Sequence, residues 1–101
     1  MNVISRPAIR EAQQRYADAA GWLENWWQVA KLAQWQSLHD VRATYPAADQ
    51  VGRCLVFNAH GNRYRFIVGL SYATEERGGT LFVKAFLTHA EYTTGQWKGD
   101  C

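Results

Sequence analysis

Between Phe57 and Tyr92 the chain gathers the side chains best suited to chemistry on a charged substrate. Arg63 and Arg65 flank Tyr64, Lys84 follows in a later apolar run, and Thr88-His89-Ala90-Glu91-Tyr92 closes the stretch. His60 stands in a turn before the arginines, and Arg53 lies upstream. Guanidinium groups form paired hydrogen bonds to phosphate oxygens. Histidine carries a proton near neutral pH, and tyrosine can donate one or stack on a base. Such a set suits a polyanion. Cleavage of RNA by its own 2′-hydroxyl needs a proton acceptor, a donor for the leaving 5′-oxygen and fixed positive charge at the phosphorane, and no metal. Arg65, Lys84, His89 and Tyr92 are the candidates for that chemistry, with Arg63, Arg53 and His60 as phosphate or RNA contacts. Each also has a plainer role open to it: an exposed strand residue for either arginine, a hydrogen-bonded cap neighbour for His89, a loop residue for His60.

Charge supports the same region. Of 101 residues, Met1 to Gln50 carry five basic and five acidic side chains, whereas Val51 to Cys101 carry six against four. Arg53, Arg63 and Arg65 fall in a stretch to Thr74 that holds no acid at all. A local basic face binds phosphate even on a nearly neutral chain. Cys54 and Cys101 do not form a disulfide framework by spacing, and no CxxC or HxxxH pair marks a metal site. No run reaches ~18 apolar residues and no signal core is present, so a cytoplasmic protein without membrane contact is expected.

One domain over residues 1–101 must position these groups. Asn2 to Ser5 suggest a short strand, and Pro7 suits the first turn of a helix. Ile9, Ala12, Tyr16 and Ala19 lie on one helical face. Gly21 interrupts, with Asp18 available to cap a second helix, whose Trp22, Leu23, Trp26, Val29, Ala30 and Ala33 form a broad core stripe. Ser37 to Gln50 read as a connection with a helical turn over Leu38 to Ala43. From Arg53 the period changes to two: a strand through Cys54 and Asn58, a turn at His60-Gly61-Asn62, and a strand that continues to Tyr72. Strand parity puts Arg63 and Arg65 on one face, with Tyr64 and Phe66 on the other. Thr80 to Leu87 make the next strand, with Lys84 facing opposite to Val83 and Ala85. Thr88-x-x-Glu91 has the spacing of a capping box for a short helix. Residues from about 95 to 101 read as a mobile, Gly-rich tail. The expectation is an α+β fold, two N-terminal helices on one face of a small antiparallel sheet, with a short C-terminal helix and the arginines on the open face.

Several motifs together resemble the HigB family of bacterial type II toxin–antitoxin systems. They are Phe57-Asn58-x-x-Gly61-Asn62-x-Tyr64-Arg65, Phe82-Val83-Lys84 and Thr88-His89-x-Glu91-Tyr92, with Trp35, Asp40-Val41-Arg42 and Tyr45-Pro46-Ala47-Ala48-Asp49 upstream. The resemblance implies a RelE-like fold and an mRNA interferase, an endoribonuclease that cuts messenger RNA, usually on the translating ribosome, without a cofactor. It also implies a helix-turn-helix antitoxin, HigA, as partner, with operator DNA bound only through that antitoxin. By position, Arg65, Lys84, His89, Glu91 and Tyr92 match the family's pattern, and Arg63 fills a position that is commonly basic. Two residues depart from it. His60 stands where a small residue is usual, and Thr93 where an aspartate is usual. The alternatives are a toxin-fold module that binds antitoxin or RNA without cutting, and an acid–base enzyme on a small phosphorylated molecule in a closed pocket.

Overall fold

The computed structural model describes all 101 residues as an α+β arrangement. Strand β1 (Asn2–Ile4) leads into helix α1 (Arg6–Arg15), a 3-10 turn (Ala17–Ala19), helix α2 (Ala20–Leu32) and helix α3 (Leu38–Thr44). Strands β2 (Asp49–Val51), β3 (Cys54–Ala59), β4 (Tyr64–Ser71) and β5 (Thr80–Thr88) follow, then helix α4 (His89–Thr93) and a 3-10 turn (Gln96–Asp100). The sheet order is β1-β5-β4-β3-β2.

Local chemistry explains most boundaries. Ser5 caps α1 by accepting from the Ala8 amide, and Pro7 sits in the first turn, where its missing N–H costs nothing. The break before α2 falls at Tyr16, the C-cap of α1, and not at Gly21, which is inside α2. Asp18 does not cap α2: the N-cap is Ala19, without a side-chain bond. At the other end of α2 the N-terminal ammonium donates to Lys31 O and Ala33 O at 3.2 and 2.6 Å, and shares Ala30 O with the Ala33 amide. Ser37 caps α3 through the Asp40 amide.

The helices cover one sheet face. Ile9, Leu23, Trp26 and Ala30 meet Leu55, Phe57, Phe66, Val68 and Leu81, and Trp35 and Val41 extend this core. Trp26 stands edge-on to Phe66 at 4.7 Å and to Phe57 at 5.6 Å, the geometry that aromatic quadrupoles favour. Tyr45 joins them, and burial pushes its hydroxyl pKa up to about 12.

Three expectations change. The sheet is mixed, because β1 runs parallel to β5 with Val3 opposite Leu81. The second face is not an open basic surface but holds a smaller core of Cys54, Val56, Ile67 and Trp97. The last residues are tied down rather than loose: Trp97 is buried, and Cys101 is bonded to Cys54 with Cα atoms 5.4 Å apart. Spacing could not show that pairing, since it depends on the chain returning to β3 after 47 residues.

Candidate functional site

The β3–β4 turn organises the candidate site. His60 and Gly61 both adopt positive φ, 51° and 68°, which reverses the chain tightly enough to pair Ala59 with Tyr64. Glycine takes that conformation freely, whereas histidine does so at some cost. The turn then splits the two arginines. Arg63 precedes the strand, and its guanidinium donates to Asp18 Oδ2 at 3.1 Å. Arg65 points to the other face, so the two do not share a side as parity predicted.

Asp18 belongs to a cluster that its position in a loop did not reveal. The Tyr64 hydroxyl donates to Oδ1 at 2.8 Å, and His60 Nε2 lies 3.9 Å from Oδ2. The Tyr64 bond, more than the positive charge of Arg63 and His60, holds the Asp18 carboxyl below its ordinary pKa. The same bond raises that of Tyr64. Arg63 is therefore a charge-matched strut between the turn and the helical layer, alongside the Tyr16, Tyr64 and Phe86 rings.

Arg65 differs in every respect. It is 9% exposed and has no carboxylate within 4 Å. Its Nη1 donates to Asn62 O and Tyr64 O, and Nη2 donates to Asn62 Oδ1. Its Cζ lies 5.3 Å from the Tyr92 ring centroid. A cation this desolvated, held only by neutral acceptors and a π face, keeps most of its field for an incoming anion. Asn62, expected only to shape the turn, is the residue that fixes it.

Helix α4 brings the acid–base candidates beside this cation. Thr88 and Glu91 form the predicted capping box, with Glu91 N donating to Thr88 Oγ1 and Thr88 N to Glu91 Oε1. That backbone donor lowers the Glu91 pKa. The His89 amide donates to Arg63 O at 3.2 Å, which docks the helix on the turn. His89 and Tyr92 rings meet edge-on, 6.5 Å between centroids. Thr93 donates its single hydroxyl proton to His89 O at 2.8 Å and faces His89 Nδ1 at 3.4 Å. With its proton committed to the carbonyl, the hydroxyl oxygen is left to accept from Nδ1 when that nitrogen carries the proton.

Lys84 and Arg53 do not join this group. Ile67 pairs with Ala85 but Val68 with Val83, so Lys84 is the extra residue of a β-bulge. The bulge breaks the simple alternation expected for this strand. The side chain lies over Gly69, where a Cβ would meet its Cε at 2.9 Å. Gly69 is four residues along β4 from Arg65, a separation of about 13 Å. Lys84 and Arg53 instead line an open groove with Ser71, Phe82 and Asp100. None of the four surface hollows is lined by Arg65, His89 or Tyr92, so the site is a surface and not a closed pocket. No three His, Cys, Asp or Glu side chains converge as a metal site would need.

A family model described as "HigB_toxin, RelE-like toxic component of a toxin-antitoxin system" matches residues 19–95. That span includes Asp18's neighbours, the whole turn, Lys84 and α4. The chain belongs to the HigB toxin family. No curated protein matches it. Membership makes it the toxin of a toxin–antitoxin system, and so the partner of an antitoxin. The α+β arrangement with a five-stranded mixed sheet is compatible with a RelE-like fold, and no helix is long and apolar enough to cross a membrane.

Proposed function

We propose that this toxin is an mRNA interferase acting in the cytoplasm, a metal-independent endoribonuclease that cuts messenger RNA on the ribosome and is neutralised by a HigA-type antitoxin. The observation that carries the reading is Arg65: a nearly buried guanidinium with no counter-charge, beside Tyr92, whose ring meets that of His89 one helical turn away. In the reaction, the 2′-hydroxyl attacks the adjacent phosphorus and the bond to the 5′-oxygen breaks. His89 Nε2 accepts the hydroxyl proton, Tyr92 is the candidate donor to the leaving oxygen, and Arg65 stabilises the charge that builds on the phosphorane. Lys84 and Arg53, about 13 Å along the sheet, hold flanking phosphates of an extended strand. Arg63 and His60 sit at the rim, where Asp18 already occupies the arginine. An open surface accommodates a long flexible substrate better than a small molecule.

The test is expression without antitoxin. The parent chain should arrest growth and produce codon-positioned cuts in messenger RNA, while Arg65→Ala and His89→Ala should restore growth yet remain folded. If both variants stay as toxic as the parent, the site is misplaced. If the parent arrests nothing and cuts nothing, the chain is a binding module of the same fold.

A further inference from the structure

The Cys54–Cys101 bond closes a path that leads directly to the candidate site. From Cys101 the 3-10 turn runs back to Trp97, whose indole stacks on the Tyr92 ring at 5.0 Å and 15°. Trp97 Nε1 also donates to Tyr92 O at 2.9 Å. The Tyr92 ring in turn lies beside the Arg65 guanidinium. Trp97 packs on Cys54, Val56 and Ile67, so one patch of β3 and β4 supports both the tryptophan and the bond.

Little else anchors this segment. It pairs with no strand, and its far end is fixed by the Arg53 amide donating to Cys101 O and by the bond itself. Gly52, at φ 57°, leaves room for that carbonyl, since a Cβ there would collide with Cys101 O. Short 3-10 turns have weak hydrogen-bond geometry and contribute little order of their own.

We propose that this bond is a thiol–disulfide exchange site whose state sets the Arg65–Tyr92 geometry. Its final consequence, a change in RNA cleavage, rests on the function proposed above. Cys54 is 1% exposed whereas Cys101 is only partly buried, so an attacking thiolate reaches Cys101 Sγ. The co-reactant is a dithiol. One of its thiolates bonds to Cys101 Sγ, and Cys54 Sγ leaves with the electron pair and takes a proton from water. The second thiol then displaces Cys101 Sγ. The dithiol ends as a disulfide, and two electrons and two protons have passed to the cysteines. In a reducing compartment the bond forms only where oxidation outruns reduction, so full activity appears in the cytoplasm under oxidising conditions and growth arrest should deepen there. The oxidised toxin holds Trp97 against Tyr92, and the reduced toxin lets the segment leave, freeing the ring that lies beside Arg65.

The probe is dithiothreitol added to the folded, oxidised protein. Alkylation after treatment should label two cysteines per chain and none before it. The Tyr92 and Trp97 ring resonances should shift, while those of Trp26 in the helix-side core hold. Cleavage of ribosome-bound messenger RNA should fall by on the order of 10²-fold, as expected for reacting groups displaced by about 1 Å, and return on reoxidation. Cys101→Ser should behave as the reduced protein with or without dithiothreitol. Unchanged Tyr92 and Trp97 resonances after complete reduction overturn the proposal, as does a chain that shows two free thiols without treatment. Shifted resonances together with equal cleavage in both states overturn the coupling to catalysis. Shifted resonances with no cleavage in either state uphold the exchange site and refute the nuclease reading instead.

Discussion

The two faces of the sheet are built on different principles. The helix-covered face is a continuous aromatic and aliphatic core, in which Trp26, Phe57 and Phe66 interlock out of contact with water. The opposite face has four buried core residues, one covalent bond and a short C-terminal segment for cover. The only buried charged side chain, Arg65, is on that thin face. On the proposed function, stability and chemistry are thereby separated: a guanidinium without a counter-charge would be costly inside the thick core, and is tolerable under the thin cover.

Substitutions can break that comparison, and the largest effect belongs to the thick face. Trp26→Ala should cost about 3–5 kcal/mol in urea unfolding, with loss of a single cooperative transition if the helical layer detaches. Removing the bond should cost about 2–4 kcal/mol, read as the difference between oxidised and reduced protein; a cost larger than that of Trp26→Ala would show that the thin face carries the fold. Arg65→Met should leave the unfolding midpoint nearly unchanged and lower RNA cleavage by about 10²–10³-fold. A large loss of stability there would make Arg65 a structural residue and remove the separation.

The smallest effect is with acid. Asp18 has its pKa below the ordinary 3.8 because Tyr64 donates to it, and Glu91 lies below 4.5 because the Thr88 amide does. Each contribution to stability is fully present above the unfolded value and is lost as pH falls through the lowered folded value. Carboxyl titration by NMR should give both midpoints below those ordinary values. Asp18→Asn should flatten the acid limb without touching Glu91, since the two carboxylates share no hydrogen-bond partner.

Much of this organisation could be read along the chain wherever a local rule governed it. The helix start at Ser5-Pro7, the stripe from Trp22 to Ala33, the turn at His60-Gly61 and the capping box at Thr88 each follow from residues within a few positions of one another. What stayed hidden depends on distant partners. The short strand expected at Asn2 to Ser5 is present as β1, but its parallel pairing with β5 has no local signal. Asp18 looked like a helix cap because its true partners, Arg63 and Tyr64, are more than forty residues away. The bulge at Lys84 is an irregularity of pairing, invisible to alternation within one strand. Arg65 stands out by type and neighbourhood, but its burial does not, because the ring beside it, Tyr92, is backed by Trp97 in a segment too polar to suggest core.

The pairing of β1 with β5 has a consequence for how the protein is made. Val3 is joined to the chain near the start of synthesis, yet its partner Leu81 is added when about four-fifths of the chain has been translated. Until then one side of β1 has no strand to join, and contacts this distant form late. Lys84, His89 and Tyr92 are added later still. A nascent chain therefore lacks its candidate site until its own translation is almost over.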